Sequence, residues 1–401
     1  MSNKIVDVQQ KKGARLAETA LDRARSVTPI ITANAGRIES ERELPPDVLS
    51  AMHDAELFRL TLPRALGGAE LQPGLLAQVA EIIATADASA AWCLGQAFGC
   101  AMSAAFLADG PAHEVFGPRD AVLAWGAGMA GKAVATDGGY IVNGTWRFAS
   151  GGKHASWFGG HCKVHEADDS PRLVGNGPQA NRTALFPRSA VTTVDDWNVM
   201  GLKGTRSDGY TVENLFVPDE FTLDREALDE CMVDEPLYKF PTTNIYAVVF
   251  SGVALGIARG AINDLLQLAG HKTARGARSS MRESPVFQTR LAEIEAQRAA
   301  ARAYQQQVLH DVWEKVESNG ELAPAEQAQI RLATTYAINQ ATDAVEQVYR
   351  LAGSNAIFED QPFARRFRDI HAVSQQIQAR QSNFETVGRY MLGLDATVMF
   401  T

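Results

Sequence analysis

The spacing of apolar side chains divides the chain into three segments. From residue 6 to about residue 117, apolar positions recur every three or four residues, as in amphipathic helices, and proline interrupts them near residues 44–46 and 62–63. Between residues 122 and 218 the pattern changes to short β-branched runs separated by turn residues. Such runs lie at residues 183–186, 191–194 and 210–217.

Helical spacing returns near residue 246 and continues to the end of the chain. It predicts four long helices, at residues 248–269, 285–318, 323–351 and 364–394. Their apolar stripes favour a bundle, and so much alanine-rich helix usually needs partner faces, which favours an oligomer. We therefore predict an α+β protein with an N-terminal helical domain (1–120), a central β barrel or sandwich (121–230) and a C-terminal four-helix bundle (231–401).

One nucleotide-binding motif lies where the helical pattern ends. Gly126, Gly128 and Gly131 spell G-x-G-x-x-G, which binds a dinucleotide only when it opens a helix. Here turns at Asp137-Gly138-Gly139 and Asn143-Gly144 separate strand-like runs at residues 132–136, 140–142 and 145–149. The segment is therefore predicted to be a β-meander rather than a dinucleotide-binding unit.

Charge and the apolar windows limit the partners and the compartment. A formal net charge of -9 argues against nucleic acid or an anionic membrane as the main partner. The first residues have no apolar signal region, and the apolar windows at 88–107 and 246–258 read as buried helices. We predict a cytoplasmic protein with no membrane partner.

Cysteine and histidine spacing indicates neither disulfides nor a metal site. The four cysteines show no C-x-x-C pair, so buried, reduced thiols are expected. His154, His161 and His165 fall within a dozen residues but lack a matching carboxylate pattern, so no metal is predicted.

Four phrases resemble the acyl-CoA dehydrogenase superfamily, and the resemblance extends over essentially the whole chain. They are LPRALGGAEL (62–71), GGYIVNGTWRFASG (138–151), WNVMGLKGTRSDGYTVENLFVP (197–218) and RLAGSNAIFEDQPFARRFRDI (350–370). The resemblance implies a homotetramer with one flavin per subunit. The flavin would lie between the β domain and the bundle, and a neighbouring subunit would help to bind it.

Within that superfamily the chain resembles the two-component flavin monooxygenases. The dehydrogenases use a glutamate base just after an Arg-Asp pair, whereas Arg368-Asp369 is followed by no carboxylate until Glu385. The branch implies that a separate NAD(P)H:flavin reductase supplies reduced FAD, or FMN as the alternative. Reaction with O2 then gives a flavin C4a-hydroperoxide that hydroxylates a small aromatic substrate.

The resemblance also assigns residues around the flavin ring. Phe148 and Ser150 match the strand against the ring, where alternation would point both side chains the same way. Phe148 would then pack on the ring while Ser150 hydrogen-bonds near N5 and supports the peroxide. Trp92 matches a position characteristic of the monooxygenases and would form a wall of a dry pocket.

The position of the substrate base is the main departure from the phenol-hydroxylating relatives. Their histidine corresponds here to Gln376, or to Gln375 with a one-residue slip, and glutamine cannot accept a proton at neutral pH. The alternative base, His371, would point about 140° away on an ideal helix. We therefore expect a substrate that needs no deprotonation, such as an indole-like ring or an amine, or another base.

Further cofactor contacts follow from the same resemblance. Thr205 and Ser207 match a loop that approaches flavin and substrate, and an arginine on the pyrophosphate corresponds to Arg278 or Arg282. Gly353 and Ser354 match a backbone turn that touches the cofactor of an adjacent subunit. Two other functions stay open: an acyl-CoA dehydrogenase with a displaced base, and a helical assembly without catalysis.

Overall fold

A computed structural model describes residues 2–175, 177–273 and 279–398, with only the helical backbone for residues 2–18. Among these residues, the first domain has five α-helices, and the first of them ends before the predicted break at residues 44–46. Pro46 and Pro73 occupy first turns, where the missing N–H is harmless, and Asp87 caps the fourth helix by accepting a hydrogen bond from the Ala90 amide (2.9 Å). The helices are α1 (Ser2–Glu41), α2 (Pro46–Asp54), α3 (Pro73–Ala86), α4 (Ala88–Ala101) and α5 (Asp109–Phe116).

The central segment is one mixed sheet of eight strands. They are β1 (Leu123–Trp125), β2 (Gly131–Thr136), β3 (Gly139–Trp146), β4 (Trp157–His165), β5 (Asn181–Pro187), β6 (Thr192–Val194), β7 (Gly209–Pro218) and β8 (Thr222–Leu223). The order is β6-β7-β3-β2-β4-β5-β8, and β1 pairs in parallel with β4. The segment after Gly131 is a strand rather than a helix, so the sequence-based rejection of a dinucleotide-binding unit is confirmed.

The predicted turn at Asn143-Gly144 is wrong. β3 is a single strand whose pairing with β7 shifts register between Val142 and Gly144, as in a β-bulge. The Trp146 ring covers Gly144 so closely that an added Cβ would lie 2.4 Å from Cη2. The Asn143 side chain accepts a hydrogen bond from the Asn214 amide across the bulge. The glycine therefore admits a large core side chain instead of reversing the chain.

The C-terminal segment contains five helices rather than the four predicted. They are α6 (Thr242–His271), α7 (Pro285–Asn319), α8 (Pro324–Ala352), α9 (Pro362–Val373) and α10 (Ser382–Met391). The predicted fourth helix breaks after Val373, and a short 3-10 turn (Ile377–Ala379) separates α9 from α10.

Polar side chains hold this break open. Thr335 Oγ1 on α8 donates to the Gln378 carbonyl (2.7 Å), and Asn339 Nδ2 donates to that of Ala379 (3.1 Å). Asn383 Nδ2 on α10 donates to the Ile377 carbonyl (2.9 Å). A continuous helix would pair these carbonyls with its own backbone N–H groups. Because side chains pair them instead, the helix can break here although the sequence pattern is helical.

The centre of the protein is α6, which packs against α3, α4, α8 and α9. It is long and apolar enough to cross a membrane, but 94% of its most apolar window is buried in the protein. Close approaches explain its glycines: a Cβ on Gly252 would lie 2.3 Å from the Ala77 carbonyl oxygen of α3. The helix is therefore the core around which the candidate site is built.

Candidate active site

A chain of buried hydroxyl groups connects α4 to the loop before β7. Trp92 Nε1 donates to Ser150 Oγ (3.0 Å), Ser150 Oγ lies 2.7 Å from Ser207 Oγ, and Ser207 Oγ lies 2.7 Å from Thr205 Oγ1. Thr205 Oγ1 donates to the Leu202 carbonyl (2.8 Å). The structure thus brings four sequence-predicted residues into one network, and the three hydroxyls are at most 6% exposed.

The protons of this network can be assigned by counting donors. Each hydroxyl has one proton, and the indole N–H can only donate. With Thr205 donating to Leu202, Ser207 must donate to Thr205 and Ser150 to Ser207. If an acceptor bound at Ser150, Ser150 would donate its hydrogen bond to that acceptor. Ser207 would then donate to Ser150 and Thr205 to Ser207, so the three hydroxyls reorient together. Ser207 and Thr205 therefore set the direction in which the Ser150 hydroxyl donates.

The prediction that Phe148 and Ser150 share one face of a strand is wrong. β3 ends at Trp146, and Phe148 has a left-handed backbone (φ 67°) in the following turn. Its ring is 57% exposed, whereas Ser150 is buried. The turn is fixed by a hydrogen bond from the Gly151 amide to the Thr205 carbonyl (2.9 Å). This backbone contact places Ser150 beside Ser207.

Three aromatic rings form a wall next to the network. The Trp92 ring stacks on Phe250 of α6 (centroids 3.8 Å apart, planes 5° apart), and Phe250 stacks on Tyr246 (5.5 Å, 4°). Sequence reasoning missed Phe250 and Tyr246. The available signal was Gly95 and Gly99, four residues apart on α4, because such spacing marks a close helix contact.

Gln376 and His371 lie on different elements, so the predicted angle of 140° between them does not apply. His371 is on α9, where its ring contacts Phe367 and its Nε2 lies 3.5 Å from Glu346. Gln376 begins the 3-10 turn after the break, and its buried Nε2 has no hydrogen-bond partner among the described residues. Both remain predictions as functional residues.

Asp369, the acid of the Arg-Asp pair, is a further buried group that sequence reasoning left without a role. Its Oδ1 accepts a hydrogen bond from the Leu202 amide (2.7 Å), in the loop that leads to Thr205. Burial, together with the nearby charge of Asp87, raises the pKa of Asp369 to about 7. Asp369 thus connects α9 to the hydroxyl network.

The remaining candidates form a second group at the far end of α6. Lys272, just after α6, accepts a hydrogen bond from the Met281 amide through its carbonyl (2.8 Å), and its Nζ donates to the Ala352 carbonyl (2.7 Å). These contacts bring the exposed Arg282 turn towards the exposed Gly353 and Ser354. Gly353 has a left-handed φ of 58°. Arg278 lies outside the described residues.

The three histidines of the possible metal cluster have separate environments. His154 lies beside Phe58, His161 Nδ1 is 2.8 Å from Thr183 Oγ1, and His165 Nδ1 is 2.9 Å from the Asp169 carbonyl. In the part of the chain that the structure describes, no three His, Cys, Asp or Glu residues are grouped as metal ligands. All four cysteines are free; Cys93, Cys100 and Cys162 are buried, and Cys231 is half-buried.

Comparison with known proteins gives the family. Residues 19–112 match the family described as acyl-CoA dehydrogenase, N-terminal domain, and residues 248–381 match acyl-CoA dehydrogenase, C-terminal domain. The two matched ranges contain α4 with Trp92 and most of α6 with Phe250.

Similar proteins cover nearly the whole chain. An indole-3-acetate monooxygenase from Pseudomonas putida is 29% identical over 90% of both chains. The oxygenase subunit HsaA of a flavin-dependent monooxygenase from Rhodococcus jostii is 26% identical over 88% of this chain and 92% of its own. The structure of XiaF from Streptomyces sp., in complex with FADH2 and glycerol, has a TM-score of 0.89 at 23% identity and covers 98% and 99% of the two chains. The chain belongs to the acyl-CoA dehydrogenase superfamily, in its branch of flavin-dependent monooxygenase oxygenase components.

Proposed function

We propose that this protein is the oxygenase component of a two-component flavin monooxygenase that hydroxylates a small aromatic ring, preferably an indole-like N-heteroaromatic. The buried network from Trp92 through Ser150 to Thr205 carries the proposal, because it offers one hydroxyl proton in a site from which water is excluded. No carboxylate base follows Arg368-Asp369 before Glu385 on α10, which disfavours a dehydrogenase.

The residues at the site fit a reduced flavin. Phe148 exposes an apolar ring from a left-handed backbone, a conformation that costs about 1–3 kcal/mol and is found mostly at functional positions. We expect Phe148 to pack on the flavin ring, and Ser150 to bind it with support from Ser207 and Thr205. The bound flavin, FAD or alternatively FMN, supplies the activation of O2.

The substrate preference follows from the groups that could move a proton. Gln376 cannot act as a base at neutral pH, so the site favours rings that react without losing a proton first. The partly exposed Trp92, stacked on the buried Phe250 and Tyr246, provides an apolar surface for such a ring.

A neighbouring subunit is expected to complete the flavin site. The part of α6 between Phe250, which stacks on Trp92, and His271 spans about 30 Å. Because the group of Arg282, Gly353 and Ser354 lies at the far end of α6, we expect it to contact the flavin of a neighbouring subunit. We propose a homotetramer that works in the cytoplasm with a separate NAD(P)H:flavin reductase.

The test is to mix the protein, anaerobically loaded with reduced flavin, with O2 in a stopped-flow spectrometer. We expect the oxidised flavin spectrum to return slowly, and faster when indole is present, with formation of hydroxylated product. Prompt reoxidation, together with bleaching of bound FAD by an acyl-CoA, would instead identify a dehydrogenase. Failure to bind flavin at all would identify an assembly without catalysis.

A further inference from the structure

The helix α4 opens to its surroundings along a single strip. Of its 14 residues, all of which the structure describes, 12 are buried, and the two partly exposed residues are Trp92 and Gln96. Residues four apart lie on the same face, one turn from each other. Gln96 is therefore next to the candidate site, one helical turn beyond the residue that donates to Ser150.

Close packing fixes the position of this strip against α6. A Cβ on Gly95 would lie 2.6 Å from Val249 Cγ1, and one on Gly99 would lie 2.3 Å from Tyr246 Cε1. The two helices are thus as close as glycine allows, and the wall of Trp92, Phe250 and Tyr246 has little freedom to move. Phe250 and Tyr246 are buried, so a ring bound at this wall would contact the partly exposed Trp92, with Ser150 at one end and Gln96 at the other.

The hydrogen bonds of Tyr246 orient the Gln96 amide. Tyr246 Oη accepts from Trp125 Nε1 (3.0 Å), which can only donate, and from Gln96 Nε2 (3.0 Å). Cys100 Sγ, 3.7 Å from the same oxygen, completes the surroundings of the phenol. Gln96 Oε1 has no partner among the described residues, and it is a neutral acceptor on the open strip.

We propose that Gln96 is the specificity-determining residue that accepts the ring N–H of a bicyclic N-heteroaromatic substrate. The substrate lies along the aromatic wall with its N–H at Oε1 and the carbon to be hydroxylated towards Ser150. A substrate without a ring N–H leaves this amide oxygen unpaired. This inference rests on the proposed monooxygenase function and adds the group that selects the substrate.

The test compares indole with 1-methylindole in the parent protein and in the Gln96→Leu, Gln96→Glu and Gln307→Leu variants. Gln307 is exposed on α7 and serves as the matched control. We expect kcat/KM of the parent to favour indole about tenfold, the size of one unpaired polar group, mainly through KM. Gln96→Leu should lose this preference, whereas Gln96→Glu, which keeps an acceptor, and Gln307→Leu should retain it.

Reoxidation of reduced flavin without substrate separates the possible failures. If Gln96→Leu folds, reoxidises flavin like the parent and still prefers indole, the role of Gln96 is wrong while the monooxygenase function stands. If Gln96→Leu does not fold, the inference is judged on Gln96→Glu. Loss of the preference for indole in that variant, which keeps an acceptor, would contradict the inference. If the parent hydroxylates neither ring, the inference fails, and the reoxidation of reduced flavin decides whether the monooxygenase function stands.

Discussion

We expect the chemistry of this site to depend most directly on Ser150. Its Oγ accepts a hydrogen bond from Trp92 Nε1 on one side and contacts Ser207 Oγ on the other. These two neighbours determine the direction in which the Ser150 hydroxyl donates. A lone surface serine would share its proton with water. Because Ser150 is buried, its hydroxyl is shielded from bulk water and can hydrogen-bond to a bound group.

Replacing Ser150 by alanine should uncouple flavin oxidation from hydroxylation. The variant leaves Trp92 Nε1 without an acceptor and removes the proton donor of the site, so the yield of product per flavin should fall about tenfold or more. The measurement is the ratio of product formed to reduced flavin consumed. Ser26→Ala, at an exposed position on α1, is the control, and an unchanged ratio in Ser150→Ala would contradict the role.

Asp369 should make the stability of the protein fall as the pH rises from about 4 to about 7. Its pKa in the folded protein is raised to about 7, whereas an unfolded aspartate ionises near about 3.9. The folded state therefore holds a proton that the unfolded chain releases, and raising the pH across this interval favours unfolding. Above about pH 7 both states are ionised and this contribution is constant.

Urea unfolding of the parent and of Asp369→Asn at several pH values tests this effect. The amide keeps an acceptor for the Leu202 N–H but does not titrate. The free energy of unfolding of the parent should fall relative to the variant between pH 4 and 7, and a difference that does not change with pH would refute the prediction. Asp137→Asn, on the exposed β2–β3 turn, controls for the loss of one carboxylate.

Placing a histidine at position 376 should extend activity to phenols. Gln376 cannot accept a proton at neutral pH, and imidazole ionises at about pH 6.5, so Gln376→His adds a base at the position that the resemblance assigns to the base of the phenol-hydroxylating enzymes. We expect turnover of resorcinol to increase as the pH rises through that value, while turnover of indole changes little. Gln375→His, one residue away and exposed, tests the alternative register.

At the scale of elements, α4 and α6 form the contact that determines the shape of the site. Gly99→Ala should destabilise the protein by about 1–3 kcal/mol, because its methyl group would overlap the Tyr246 ring. Gly110→Ala on α5 meets no atom within 4 Å and should be neutral or slightly stabilising. Thermal unfolding of both variants compares the two, and equal effects would exclude the close contact.

Most elements could be predicted from the sequence because their periodicity is strong. The patterns that predict α8 and β7 depend on the regular spacing of apolar side chains within one element. The break after Val373 depends instead on hydrogen bonds from Thr335 and Asn339 to carbonyls about 40 residues away, which no local pattern reveals. Asn143-Gly144 has the composition of a turn, but packing of Trp146 requires its glycine within a strand.

The candidate site was predictable to the extent that the family motifs include it. Trp92, Ser150, Thr205 and Ser207 could be named, but their connection into one network could not, because it depends on a turn after β3 rather than on strand alternation. Gln96 and Tyr246 have no motif, and only the contact between α4 and α6 indicates their role.

At the scale of the whole molecule, the candidate residues lie in two groups, one around Ser150 and one around Gly353, and we propose that a flavin connects them across two subunits. Ile357 and Phe358, next to the Gly353 turn, are large exposed apolar residues, as expected for a face that another subunit covers.

Mixing two inactive variants should restore activity if the flavin site is shared. Ser150→Ala removes one side of the site, and replacing Gly353 by valine, which a left-handed backbone disfavours, should damage the other side. Tetramers reassembled from both variants should hydroxylate indole, whereas each variant alone should have little activity. No recovery in verified mixed tetramers would mean that both groups serve the same subunit.

The break between α9 and α10 has a consequence for how such enzymes change over time. Arg366 on α9 pairs with Asp264 on α6, and Arg368 pairs with Glu39 on α1, so α9 is firmly anchored. The segment after α9 is held through its main-chain carbonyls, which every amino acid possesses. None of these contacts uses the side chain at position 376, so we predict that the fold tolerates substitution there and that a lineage could gain or lose a substrate base at this position by one substitution.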